Sequence, residues 1–362
     1  MILTALRRVI SVTISLLMLV SANTFGHLKE QYDSIASVTK LEDGFYMMDY
    51  SYDYDIDKML DRGVSTNVGL LLKGMAHALF GSLKGPGCTT FNSITPDGDY
   101  LFSRNFDYLD SDYILVWTHP DDGYASISSV CAMFNGYDGD FTPENDYDRA
   151  FLLLAPYVPF DGMNEKGLSI GVLEVEKHPT FQMTKKTNLT TTAIIRAVLD
   201  KAATVEEAIA IFEKYDMRDP LIVDCTYHYQ IADASGKTAV VEYVDGEMKV
   251  IYPEERKDCA VDYLAAANYF LTEGVDDPDG MGYDRVDTVY AALDASKGVT
   301  TEEEAMGLLE ATSIDNETLH GYLCSTIWSA VYNQKDMTVD ICFYNGFDNV
   351  YKFAVNEPLV RK

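Results

Sequence analysis

From Cys88 onward, apolar residues recur in short runs of strand length separated by turn signals. "CTTFNSIT", the turn "PDGD" and "YLFSRNFD" predict a hairpin, and "YILVWTH" predicts a further strand soon after. "GLSIGVLEVE" is apolar on both faces, the pattern of a buried strand. The period then lengthens: "TTTAIIRAVLDKAA" and "TVEEAIAIFEKYD" predict helices, the second opened by Thr204 and Glu207 at capping-box spacing. "YHYQIADA", "TAVVEYV" and "MKVIYP" return to strand character across the turns "SGK" and "DGE". Two more helices follow in "YDRVDTVYAALDA" and "TTEEEAMGLLEATS", and "STIWSAVYN", "MTVDICFYNG" and "NVYKFAV" close the chain as strands. Strands, helices, strands, helices and strands in that order predict an α+β fold of antiparallel sheets layered with helices. The short hairpin turns exclude a regular βαβ plan, and residues 88–362 read as one domain without internal repeats.

Upstream the pattern is different. "FYMMDYSYDYDID" is acidic and aromatic, "DKMLDRGVSTNVGLLLKGMAHALFGSL" has a mixed helical period interrupted by glycines, and "KGPG" breaks the chain just before Cys88. Residues 27–87 therefore read as an appendage. The first 26 residues carry Arg7 and Arg8, the apolar stretch "VISVTISLLMLVSA" and small residues around Ala22, as a secretory signal peptide does. At 14 residues, this stretch falls short of the about 20 that span a bilayer. A secreted or extracytoplasmic protein is expected, with an uncleaved N-terminal membrane anchor as the alternative.

Composition narrows the partners. A formal charge of −29 over 362 residues disfavours nucleic acid, which is bound through basic patches, and disfavours anionic membrane surfaces. The six cysteines form no CxxC pair, against a zinc site or a dense disulfide scaffold, although one or two disulfides stay open. The six histidines show no HExxH spacing and read as structural or surface residues. "GLSIG" matches G-x-S-x-G, but Ser169 falls inside a continuing strand instead of at the sharp turn that motif needs. "DGDYLFS" and "DDPDGMGYD" lack the ligand alternation of a calcium loop and read as solvated turns.

The string "GSLKGPGCTTF" is more informative. A lone cysteine is by default a small buried hydrophobe. Here, sixteen residues after Cys88, "SRNFDY" returns Arg104 and Asp107 on the adjacent hairpin strand, where a cation and a carboxylate could flank the sulfur and its backbone nitrogen.

With these residues in view, "CTTF", "FSRNFD", "DGMNEKGLSIGVLEV", "TVEEAIAIFEKYD", "YHYQIADASGKTAVVEY", "AANYF", "YDRVDTVYAAL" and "STIWSAVYNQKDMTVDICFYN" resemble, in order, segments of a known family. It is the N-terminal-nucleophile (Ntn) hydrolases of the choloylglycine hydrolase and penicillin V acylase type, the linear amide C–N hydrolases, and the resemblance spans residues 88–362. It implies an αββα sandwich, two antiparallel sheets between helix layers. It implies that Cys88 is the nucleophile, exposed as a new N-terminus when the Gly87–Cys88 bond is cut, with its own α-amine, of pKa near about 8, as general base. Asp107 would hold that amine, and Arg104 would favour the thiolate. Asn268 would supply its side-chain amide to the oxyanion hole, and Arg285 would shape the site electrostatically. Without the resemblance both arginines read as surface ion pairs worth under about 1 kcal/mol.

Two departures stand out. Glu174 occupies a position where bile-salt hydrolases carry asparagine and penicillin V acylases tyrosine; a backbone N–H for the oxyanion survives any residue but proline, whereas a carboxylate there changes substrate choice. The upstream segment is longer than in many relatives, and residues 27–87 become propeptide-like, covering the site until self-cleavage. The resemblance calls for no cofactor or metal and implies a small-molecule N-acyl amide substrate such as a conjugated bile salt, penicillin V, or an N-acyl amino acid or lipid. A homo-oligomer stays open. So do an acyltransferase of the isopenicillin N type and a non-catalytic binding protein that keeps the fold.

Overall fold

The computed structural model describes residues 25–63, 87–132, 152–175, 180–219, 226–319 and 321–357, together with residues 143 and 149. Nearly all of the predicted signal segment and residues 64–86 lie outside the described residues. In chain order the elements begin with α1 (Phe25–Ala36), β1 (Thr39–Glu42), β2 (Phe45–Tyr50) and α2 (Ile56–Arg62). Next come β3 (Cys88–Ile94), β4 (Tyr100–Tyr108), β5 (Tyr113–Thr118), β6 (Ser126–Cys131), β7 (Asp161–Asn164) and β8 (Ser169–Val175). They continue with β9 (Asn188–Leu189), α3 (Thr191–Lys201), α4 (Val205–Lys214), β10 (Asp216–Met217), β11 (Thr226–Ala232), β12 (Thr238–Val244), β13 (Glu247–Ile251) and β14 (Ala265–Ala266). The chain closes with α5 (Tyr283–Ser296), α6 (Glu302–Ala311), β15 (Glu317–Leu319), β16 (Tyr322–Asn333), β17 (Thr338–Phe343) and β18 (Val350–Ala354).

Local chemistry sets several of these boundaries. Thr204 caps α4 by accepting from the Glu207 amide, while the Glu207 carboxylate reaches back to Ala203 at 2.7 Å. Thr301 and Glu304 close a full capping box on α6. Asp245 and Gly246, both at positive φ, make the tight turn between β12 and β13.

The strands form a nine-stranded sheet in the order β1-β2-β5-β6-β7-β8-β11-β12-β13 and a second sheet in the order β14-β3-β4-β16-β17-β18, with β15 on β16. Helices α3 and α4 cover the outer face of the first sheet, and α5 and α6 cover the second. The result is an αββα sandwich of α+β class. Between the sheets Phe106 stacks on Trp328 at 4.0 Å, and Trp328 on Tyr113 at 4.8 Å. A second core lies under α5 and α6, where Phe91, Leu101 and Val331 meet Val289, Leu293 and Leu309. No disulfide joins the described cysteines.

Two features depart from the sequence expectation. The nine-stranded sheet is not wholly antiparallel, because β2 joins it parallel to β5, with Phe45 opposite Tyr113. The upstream segment is also no mere appendage in its first half. Phe45 and Met48 are fully buried, and the Tyr54 hydroxyl lies 2.8 Å from both oxygens of the Asp200 carboxylate on α3. Burial on both faces removes the alternation that marks a half-exposed strand, so "FYMMDY" reads by composition alone as acidic and aromatic.

Candidate active site

Cys88 opens β3, and the hairpin with β4 sets Cys88 opposite Phe106 and Thr90 opposite Arg104. Strand alternation then sends Arg104 and Asp107 to opposite faces. Arg104 enters the space between the sheets, fully buried, with Nη2 at 3.6 Å from the Cys88 Sγ. Its Nη1 donates to the Phe160 carbonyl at 2.6 Å and pairs with Asp161 at 3.1 Å. Asp161 is itself fixed by the Trp328 Nε1 at 2.9 Å and the Tyr332 hydroxyl at 2.5 Å. The guanidinium is thus tied down by the opposite sheet, and it lies over the Phe106 ring at 5.0 Å.

This cation acts on Cys88 in the expected direction but does not prevail. Burial pushes the Cys88 thiol above its ordinary value; Arg104 pulls it back, while Asp107 pushes it further up. With the Gly87–Cys88 bond intact, the sulfur is held as a thiol.

On the other face, Asp107 Oδ2 pairs with Arg285 Nη1 at 2.8 Å, and Oδ1 accepts from the Thr326 hydroxyl at 2.6 Å. Burial raises the Asp107 pKa to about 6 against the pull of Arg285 and Thr326. The Asp107 amide donates to the Gly87 carbonyl at 3.0 Å, so the bond before Cys88 is anchored at the site. A Cβ on Gly87 would lie 2.8 Å from both Arg285 Nη atoms and 2.9 Å from Asp107 Oδ2, so the cleft admits only glycine without adjustment.

Asn268 and Arg285 come from a distant part of the chain. β14 pairs with β3, Ala266 opposite Thr90, and the loop after it carries Asn268 to the start of β3. The Asn268 backbone exchanges hydrogen bonds with Met281 at 3.1 and 2.9 Å, which ties the loop to the start of α5. Gly282 caps α5 at φ 84°, where a Cβ would collide with the Arg285 guanidinium. Asn268 Oδ1 accepts from the Cys88 amide and from Arg285 Nη2, the latter at 3.1 Å. Its Nδ2 donates to the Glu174 carbonyl at 2.8 Å. Glu174 lies on β8 opposite Tyr227, so its backbone borders Asn268, and its half-buried side chain is not the contacting group.

The structure therefore brings Cys88, Arg104, Asp107, Asn268, Arg285 and the Glu174 backbone into one cluster. Sequence reading missed Asp161, Thr326 and Thr89, the last of which accepts from Arg285 at 3.1 Å. Asp161 carried the one available signal, a carboxylate inside the apolar run "APYVPFDGM". Ser169 is a buried residue in the middle layer of the fold, at the start of β8. Among the described residues, no three His, Cys, Asp or Glu side chains are placed to hold a metal ion. Chemically, the cluster can present a sulfur beside a fixed cation and a backbone nitrogen beside an amide and a carboxylate–guanidinium pair.

Known proteins share stretches of this sequence and its fold. Residues 88–257 match the linear amide C–N hydrolases, choloylglycine hydrolase family. The chain is 28% identical over 195 residues to a penicillin V acylase of Pectobacterium atrosepticum, a match over 47% of this chain and 48% of that protein, so the chain spans about half the length of this curated relative. A mutant conjugated bile acid hydrolase of Clostridium perfringens superposes with a TM-score of 0.53 at 17% identity, covering 74% of this chain and 92% of that one. Penicillin V acylase of Agrobacterium tumefaciens superposes with a TM-score of 0.50 at 20% identity, over 74% of this chain and 86% of that one. The shared architecture is the Ntn-hydrolase fold. Through residues 88–257, the chain is similar to the linear amide C–N hydrolases of the choloylglycine hydrolase family.

Proposed function

We propose that the protein is an exported cysteine amidase that hydrolyses the linear C–N bond of a small N-acyl substrate, with Cys88 as nucleophile after self-cleavage of the Gly87–Cys88 bond. One observation carries this reading: the Cys88 nitrogen and sulfur are separately addressed, the nitrogen by Asn268 Oδ1 and the sulfur by Arg104, while the Asp107 amide holds the Gly87 carbonyl.

In self-cleavage, Sγ attacks the Gly87 carbonyl, the C–N bond breaks, and the thiol proton ends on the departing Cys88 nitrogen. The Asp107 N–H is already on the oxygen that gains charge. Water then hydrolyses the thioester, releasing a Gly87 carboxylate and a free thiol. The α-amine so formed is a base where the amide was not, and it lies beside Asn268 and the Asp107–Arg285 pair. In turnover, that amine takes the thiol proton, Sγ attacks the substrate carbonyl, and the leaving amine collects the proton. Water releases the acyl group as a carboxylate. Asn268 Nδ2 and the backbone at Glu174 border the place where the oxyanion forms.

The relatives' names support a conjugated bile salt or penicillin V as substrate, and an N-acyl amino acid or lipid offers the same linear amide bond. The upstream segment stays docked after the cut, since β2 is paired with β5 and Tyr54 is bonded to Asp200. A panel of these substrates, assayed with wild type and Cys88→Ala, tests the reading. Equal release of amine and carboxylate by wild type alone supports it, and no turnover of any member counts against it. Added hydroxylamine separates hydrolysis from acyl transfer by the ratio of hydroxamate to acid.

A further inference from the structure

Two buried side chains outside this cluster grip the loop that carries Asn268. Register sets Tyr229 of β11 against Val241 of β12, which leaves His228 facing Glu242 across the same pair of strands, both fully buried. Both point from the first sheet toward the loop after β14. The His228 Nε2 lies 2.8 Å from the Ala267 carbonyl, an acceptor only, so Nε2 carries the proton. Glu242 accepts from the amides of Leu271 at 3.2 Å and Thr272 at 2.7 Å, and its Oε2 lies 3.4 Å from His228 Nδ1. The pair therefore bonds the backbone immediately before Asn268 and again three and four residues after it. Gln230, on the same face of β11, adds a bond to the Leu264 carbonyl at 3.0 Å. Burial alone would raise the Glu242 carboxyl, yet His228 and the Thr272 amide hold it below the usual range, as a charged acceptor.

A buried polar pair is a poor device for stability, because desolvation offsets most of what its members gain from each other. This one engages three backbone groups, and all three flank a single side chain at the site. We propose that His228 and Glu242 are positioning residues: they set the Asn268 amide at the Cys88 nitrogen and the oxyanion position. The proposal rests on the reading of Cys88 as nucleophile and of Asn268 as its oxyanion partner.

Kinetics of the full-length, processed protein test it, with penicillin V or whichever panel member the wild type turns over. Losing the Ala267 bond in His228→Leu lowers kcat by about 10²-fold, the scale of a lost oxyanion donor, with KM within about twofold. His228→Gln, whose amide can still donate to Ala267, recovers most of that loss, and Glu242→Gln lowers kcat in the same way. The deciding readout is the double variant. On an Asn268→Ala background, His228→Leu costs little more, because both changes remove one function. An unchanged kcat in both His228→Leu and Glu242→Gln overturns the proposal, and so does a loss that multiplies with that of Asn268→Ala. Should His228→Leu fail to fold, Glu242→Gln carries the same cycle. Turnover that survives Cys88→Ala sinks the reading of Cys88 as nucleophile, an outcome distinct from additivity in the cycle.

Discussion

Cys88 is walled on two sides by segments of different construction. One wall is the β3–β4 hairpin, whose ladder sets Arg104 and Asp107 within one continuous stretch of chain. The other is the loop and helix start from Ala265 to Arg285, separated in sequence from Cys88 by 180 residues at Asn268. The hairpin wall is rigid by virtue of its backbone bonds, and its arginine is pinned by Asp161 and Phe160 from the opposite sheet. The loop wall joins the ladder through the two residues of β14 and is otherwise clamped by side chains: Gln230, His228 and Glu242 from behind, and Arg285 from the side. The proposed nucleophile and the cation beside it thus sit on sheet, whereas Asn268, the proposed oxyanion donor, depends on tertiary clamps.

Substitutions on the two walls separate them. The largest effect belongs to the hairpin. Cys88→Ala abolishes both turnover and the internal cut, read by assay and by gel. On the loop wall, Asn268→Ala lowers kcat by about 10²–10³-fold, the usual cost of an oxyanion donor, and steady-state kinetics read it. Gly87→Val tests the junction between the walls. Its side chain must displace Arg285 or Asp107, so the full-length chain accumulates uncut in a time course on denaturing gels.

A pH profile gives a smaller, graded effect. Asp107 is raised to about 6, so it is ionised above that pH and neutral below it. As pH falls through about 6, Arg285 loses its counter-charge, which adds a second, steeper limb to the decline in kcat/KM already set by protonation of the Cys88 α-amine at about 8. Asp107→Asn removes the second limb at a lower rate throughout. If the second limb persists in Asp107→Asn, another group is responsible. Smallest of all is Ser169→Ala, which leaves kcat/KM within about twofold, since a buried strand serine is no nucleophile.

The same division decides what was legible in the sequence. The hairpin wall could be read because Cys88, Arg104 and Asp107 lie on neighbouring strands joined by the "PDGD" turn, and period and turn chemistry are local signals. Helices α3 to α6 were legible for the same reason. Asn268 and Arg285 were reachable only through family resemblance, since no local pattern connects "AANYF" with Cys88. His228 and Glu242 were invisible: each reads as an ordinary polar residue, and their meaning lies in backbone groups from another layer. β2 was missed because a strand buried on both faces lacks alternation, and β7 because four residues, "DGMN", carry too little period to detect.

The most direct test is the mass of the purified, catalytically active protein under denaturing conditions. If Cys88 is a latent N-terminus, the spectrum contains a chain beginning at Cys88 and a companion ending at Gly87, while Cys88→Ala gives one uncut chain. An active wild-type protein whose Gly87–Cys88 bond is intact would contradict this directly.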